Sequence, residues 1–150
     1  MNNDDAAGQY YSLWILLNHT RHAIYRARDG ELGKFGISAE QARLLYVVKS
    51  LGENATPTEI SKRVFRQSHT ISSLVSRAEA KGLLERGKDP KSKKKVMITL
   101  TPRGQEILDE AKKMESLQKI WSGLSETDLQ QLEKILRSLF IVATGEKCRI

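Results

Sequence analysis

Between Lys81 and Thr101 the spacing of apolar residues changes from a helical period to an alternating one. Leu83-Leu84-Glu85-Arg86 and Val96-Met97-Ile98-Thr99-Leu100 read as two strands, joined by a polar tip that contains Gly87 and Asp89-Pro90. The rest of the chain reads as helix. The pattern therefore predicts a mainly α fold with one small β-hairpin. The hairpin is also where the charge sits. Residues 81–95 hold seven Lys/Arg against Glu85 and Asp89, a net +5 out of +7 for all 150 residues. A positive field this localised attracts a polyanion, which uniform basicity would not imply.

The helices announce their starts. Tyr11, Trp14, Leu17 and Ile24 place a first helix over 8–28, with Asp29-Gly30 expected to break it. Ser38-Ala39-Glu40-Gln41 is a capping box, and Gly52 closes the helix it opens. Thr56-Pro57-Thr58-Glu59 starts a short third helix, with proline where no N–H is needed. Ser68 caps a fourth, running to about Lys81, with Ile71, Leu74, Val75 and Ala78 on one stripe. Thr101-Pro102 opens a fifth, expected to continue to Trp121. Ser125-Glu126-Thr127-Asp128 caps the sixth, which carries Leu129, Leu132, Leu136, Leu139 and Phe140.

Composition excludes several classes. No apolar run approaches the roughly 20 residues of a membrane span, and the acidic start Met1-Asn2-Asn3-Asp4-Asp5 is not a signal peptide. The lone Cys148 permits neither an intramolecular disulfide nor a cysteine-cluster metal site. Its neighbours Lys147 and Arg149 favour the thiolate, but the expectation is a labile surface thiol. His19 and His22 stand three apart, yet no adjacent acid or cysteine completes a metal site. No nucleophile–base set or glycine-rich phosphate loop is present, so no enzyme and no cofactor are expected. The expected compartment is the cytoplasm.

Two short helices joined by a tight turn, the second with a small polar outer face, make a helix-turn-helix candidate. A helix that enters the major groove needs short donors and acceptors. Ser68, His69, Thr70, Ser72, Ser73 and Ser76 fit, and Arg77 reaches phosphate or a guanine edge. Thr56, Thr58, Lys62, Arg63, Gln67 and Arg86 flank this helix and are assigned to the DNA backbone. Alone, such a helix is equally compatible with an ordinary surface helix, and a lysine cluster with a solvated charge run. Together, the hairpin becomes a wing whose Lys88, Lys91, Lys93, Lys94 and Lys95 lie along the phosphates.

The stretch Lys81-Gly82-Leu83-Leu84-Glu85-Arg86, then Asp89-Pro90, then Leu100-Thr101-Pro102-Arg103-Gly104 resembles the MarR family of bacterial winged-helix transcription factors. The detailed match covers about 38–110. The resemblance implies a single domain over 1–150, with a winged helix-turn-helix lobe over 38–101 and N- and C-terminal dimerisation helices over 8–30 and 102–145. It further implies a homodimer that binds double-stranded DNA at a pseudo-palindromic operator, more often as a repressor. One departure stands out. The family's wing usually has Asp, then Arg two residues later; here the matching positions are Ser92 and Lys94. An ammonium lacks the planar fork of a guanidinium, so this wing is expected to grip by charge more than to read shape. Family members commonly answer to small aromatic ligands held between the dimer helices and the DNA-binding lobe. Trp14, His19, His22, Tyr25 and Phe35 are the candidates for such a cleft, with core packing as their ordinary alternative. The rival readings are a winged-helix protein-interaction module and a non-specific architectural DNA-binding protein.

Overall fold

The computed structural model describes residues 3–64, 68–89 and 92–146. Helix α1 spans Asn3–Leu32, α2 Ala39–Leu51, α3 Pro57–Val64 and α4 Ser68–Ala80. Strands β1 (Leu84–Asp89) and β2 (Ser92–Leu100) follow, then α5 (Pro102–Ala111), α6 (Glu115–Trp121) and α7 (Glu126–Thr144). Short 3-10 turns occupy Gly33–Phe35 and Gly52–Asn54. The result is the expected mainly α winged helix, with two differences in how the helices end.

The core lies where the helix-turn-helix meets the base of the hairpin. Leu32, Leu44, Leu45, Ile60, Ile71, Val75, Leu83, Ile98 and Leu108 are its largest fully buried side chains. Each contributes about 1.5–3 kcal/mol by leaving water, so five helices and the hairpin are held in one packed unit. Local signals position them. The Ser38 hydroxyl accepts from the Gln41 amide at 3.2 Å, while the Gln41 side chain accepts from the Ser38 amide at 3.2 Å. Asp29 adds a third cap, accepting from the Ala39 amide at 2.7 Å. At the other end of the chain, Ser125 and Asp128 form the same reciprocal box.

The first difference is that α1 does not stop at Asp29-Gly30 but continues to Leu32. Gly30 costs a helix about 1 kcal/mol relative to alanine, and the complete burial of Leu32 more than offsets this. The second is that the expected fifth helix is two, α5 and α6, with Met114 between them in the left-handed region at φ 50°. In an unbroken helix the Ala111 carbonyl would accept from the Glu115 amide. Here Arg28 of α1, only 8% exposed, donates its Nη2 to that carbonyl. Its i+3 neighbour Glu31 takes the amides of Glu115 (3.1 Å) and Ser116 (3.0 Å), and also the Ser116 hydroxyl. Arg28 and Glu31 are themselves paired at 2.7 Å. One ion pair thus caps the C-terminus of α5 with a cation and the N-terminus of α6 with an anion, matching both helix dipoles.

A large apolar surface remains uncovered in the single chain. Tyr10, Tyr11, Leu13, Trp14, Leu16 and Leu17 on α1 are all at least half exposed, as are Ile135, Leu139 and Val142 on α7. Among its described residues α7 buries none.

Candidate nucleic-acid interface

The candidate interface is built from α3, α4 and the wing. Thr56 caps α3, its hydroxyl accepting from the Glu59 amide at 3.3 Å. Ile60 and Val64 anchor the helix in the core, leaving Thr58, Lys62 and Arg63 exposed. Lys62 donates to the Glu59 carboxylate at 2.7 Å. The hydrogen bond and positive charge of Lys62 hold that carboxyl below its ordinary range. Lys62 must therefore share itself between Glu59 and any phosphate it meets.

Helix α4 buries Ile71, Leu74, Val75 and Ala78, the apolar stripe predicted for it. That orientation turns Ser72, Ser73, Ser76 and Arg77 to solvent on the opposite side, with Thr70 half-buried. The Arg77 Nε reaches back to the Ser73 carbonyl at 3.4 Å. The side chains of Ser68 and His69, and residue Gln67, lie outside what the structure describes. Lys81, just after α4, is exposed but bonded to the protein itself: its Nζ donates to the Gly36 carbonyl at 2.6 Å and to Gln41 Oε1 at 3.0 Å. It ties the end of α4 to the start of α2.

The wing is a two-stranded antiparallel hairpin pairing Leu84 with Leu100, Arg86 with Ile98 and Lys88 with Val96, with an irregularity at Lys88/Asp89. Its base is fixed from three sides. The Ile98 amide donates to the Ala55 carbonyl at 2.8 Å, next to the cap of α3. The Thr101 amide and hydroxyl donate to the carbonyls of Leu83 (3.1 Å) and Gly82 (2.6 Å). Gly104 lets α5 lie directly on the strand, because a Cβ there would sit 2.0 Å from the Leu83 carbonyl oxygen. Lys88 and Lys95 are exposed along the tip. Lys91 and the side chains of Lys93 and Lys94 lie outside the described residues. Arg86, assigned from the sequence to the backbone of DNA, instead points at α4. Its Nε pairs with Glu79 Oε2 at 3.0 Å and its Nη2 donates to Ser76 Oγ at 3.0 Å.

A helix-turn-helix, its wing and their shared base are therefore one continuous unit, and the sequence profile of the MarR family matches residues 35–95, the stretch that forms it. Over that stretch the chain is similar to the MarR family. The transcriptional repressor MprA of Escherichia coli (strain K12) is 26% identical over 140 residues, spanning 91% of this chain and 80% of MprA. In structure, the S. aureus MepR–DNA complex superposes with a TM-score of 0.77 at 26% identity, over 84% of this chain and 94% of MepR. The organohalide-sensing regulator RdhR-CbdbA1625 in its 2,4-dichlorophenol-bound form gives a TM-score of 0.83 at 25% identity, over 96% and 86% of the two chains. The relatives this chain matches are transcriptional regulators. Among the described residues, no three His, Cys, Asp or Glu side chains gather to hold a metal. No helix there is long and apolar enough to cross a membrane.

Four of the aromatic and histidine candidates for a ligand cleft are spread along α1, and the fifth, Phe35, ends the 3-10 turn after it. Trp14, His19 and His22 are exposed, Tyr25 is half-buried beneath the Arg21 guanidinium (5.0 Å to the ring centre), and Phe35 packs on the core. Trp14 and Tyr25 are eleven positions apart, about 16 Å along the axis, so a single chain does not gather them. A cleft of about 170 Å³ does lie between α1, α2 and α5. Arg28, Arg43 and Lys112 supply positive charge there, and Tyr46, Leu108 and Met114 supply apolar wall. Its wall includes the Arg28–Ala111 contact, which sequence reasoning missed because the partners stand 83 residues apart. Cys148 lies outside the described residues.

Proposed function

We propose that this chain is a MarR-family transcriptional regulator and binds a pseudo-palindromic operator as a two-fold homodimer, more often to repress than to activate. The single observation that carries this reading is the juxtaposition on one surface of a small-polar helix face (Ser72, Ser73, Ser76, Arg77) with a hairpin tip bearing Lys88 and Lys95. Short polar groups suit close approach to base edges, and flexible cations suit phosphates. An interaction surface for protein would present aromatic or aliphatic anchors on α4, and its outward face has none among the described residues.

Residues 38–101 form the DNA-binding lobe in this reading. Ser68, His69, Thr70, Ser72, Ser73, Ser76 and Arg77 read the groove, while Thr56, Thr58, Lys62, Arg63 and Gln67 meet the backbone. Lys88, Lys91, Lys93, Lys94 and Lys95 of the wing add charge. The apolar faces of α1 and of 102–145 meet a second copy, which covers more apolar area than a soluble monomer ordinarily exposes. Two-fold symmetry then sets the recognition helices about one DNA turn apart. A small aromatic effector, of the kind named for RdhR-CbdbA1625, would enter between α1, α2 and α5, with Trp14, His19, His22 or Tyr25 supplied across the dimer. The protein acts in the cytoplasm, where the chromosome is. Selection of bound fragments from the source genome tests the reading. Enrichment of sites with inverted repeats about 10 bp apart is expected. No shift of any duplex at low salt would refute it.

A further inference from the structure

Glu79 is out of place on a surface that meets a polyanion. It lies one turn after Ser76 on α4, so the two side chains share a face of that helix. Both are held by Arg86 of β1, through Nε to Glu79 Oε2 and Nη2 to Ser76 Oγ, each at 3.0 Å. Across the hairpin Arg86 is paired with Ile98, which is fully buried and bonded to Ala55 at the entrance to α3. The guanidinium therefore projects from an anchored point and grips two successive turns of the recognition helix. Its planar fork suits this double contact in a way a lysine ammonium does not. Between α4 and β1 the chain turns at Gly82, at φ +67°.

We propose that Glu79 and Arg86 form a strut that fixes the angle between wing and recognition helix, so that both meet one duplex in register. Arg86 is then a positioning residue rather than a phosphate contact. Glu79, which carries no DNA-binding chemistry of its own, becomes a determinant of sequence discrimination. The inference rests on the DNA-binding reading above.

The two roles for this pair predict opposite signs for Glu79→Ala. If Glu79 acts only through its field, removing a negative charge near DNA tightens binding and frees Arg86 for a phosphate. If it is half of a strut, its loss lets the wing swing and weakens binding to the preferred site. The probes are a duplex selected by the wild type from a random pool and its scrambled counterpart. The variants are Glu79→Ala, Arg86→Ala, their double and the swap Glu79→Arg/Arg86→Glu. The pair is partly exposed, so the variants are expected to fold, which melting temperature checks. The expected result is a loss of about tenfold on the selected duplex for either single change, with the double no worse, as for residues acting as a unit. The scrambled duplex changes by less than about threefold, the salt slope stays within about half a unit of wild type, and the swap restores most of the loss. Tighter binding by Glu79→Ala on both duplexes overturns the strut. So does an Arg86→Ala salt slope flattened by about 0.9 per protomer, the mark of a lost phosphate contact. A wild type that binds no duplex overturns both readings, whereas a wild type that binds while Glu79→Ala tightens overturns this one alone.

Discussion

Glu31→Gln is the sharpest test of how the two ends of the molecule are joined. Burial raises the Glu31 carboxyl, but hydrogen bonds from Arg28, the Ser116 hydroxyl and the Ser116 amide, with the charge of Arg28, outweigh it and hold the pKa at about 2 instead of 4.5. The side chain is only 8% exposed, so solvent screens these contacts little. A depression of about 2.5 units corresponds to at most about 3.4 kcal/mol of stability. Because the folded pKa lies below the unfolded one, this contribution is complete above pH 4.5 and fades as pH falls toward 2. Glutamine mimics the protonated side chain at every pH. Urea unfolding of wild type and variant at equal protein concentration should therefore differ by about 2–3 kcal/mol at pH 7, with unchanged m, and converge near pH 2. Comparing the two proteins cancels the titration of the other carboxylates. At this chain length the pH 7 difference corresponds to about 5–10 °C in Tm. Equal stability of the two proteins at pH 7, or a gap that does not shrink from pH 5 to pH 3, would refute the double-cap account.

Three further outcomes follow from particular contacts. Gly104→Ala places a methyl group 2.0 Å from the Leu83 carbonyl oxygen; overpacking against backbone should cost about 3 kcal/mol, read as a Tm drop, with DNA affinity falling as α5 lifts from the wing. Leu139→Glu or Trp14→Glu puts a charge on an exposed apolar face; sedimentation should find monomers, and binding to a full inverted repeat should fall more than binding to a half-site. Lys93→Ala/Lys94→Ala removes two cations per protomer; the log–log salt slope of DNA binding should flatten by about 3–4 units per dimer, and an unchanged slope would remove these lysines from the interface.

Much of the candidate interface was legible because its signals are local. Ser38 with Gln41 and Ser125 with Asp128 form reciprocal caps within four residues, and both are present. The stripe Ile71, Leu74, Val75 and Ala78 fixed which face of α4 is buried, and hence that Ser72, Ser73, Ser76 and Arg77 face outward. The change of period after Gly82 located the hairpin. What escaped was long-range and polar. Arg28 and Glu31 meet partners more than 80 residues away, so no spacing betrays that they replace backbone bonds and divide the run 102–121 in two. The cluster of seven cations read as one electrostatic surface, but Lys81 and Arg86 turn to carbonyl, amide and carboxylate oxygens, and to a hydroxyl, of the protein itself. Charge counting cannot distinguish a cation aimed at DNA from one aimed at a neighbouring helix. The ligand-cleft candidates, aromatic and histidine side chains, lie along α1 and in the turn after it, but side-chain type does not say which helix lies opposite.

In the proposed division of labour, α4 reads sequence and the wing holds the backbone. Its most direct test is the Kd of Arg77→Ala, compared with Lys93→Ala/Lys94→Ala, on a selected operator and on the same duplex scrambled. Arg77→Ala should weaken the operator by about 10- to 100-fold, the range of a lost base contact, and leave the scrambled duplex nearly unchanged. The lysine variant should weaken both by the same factor. Equal losses on both duplexes for Arg77→Ala would contradict the assignment of α4 as the recognition helix.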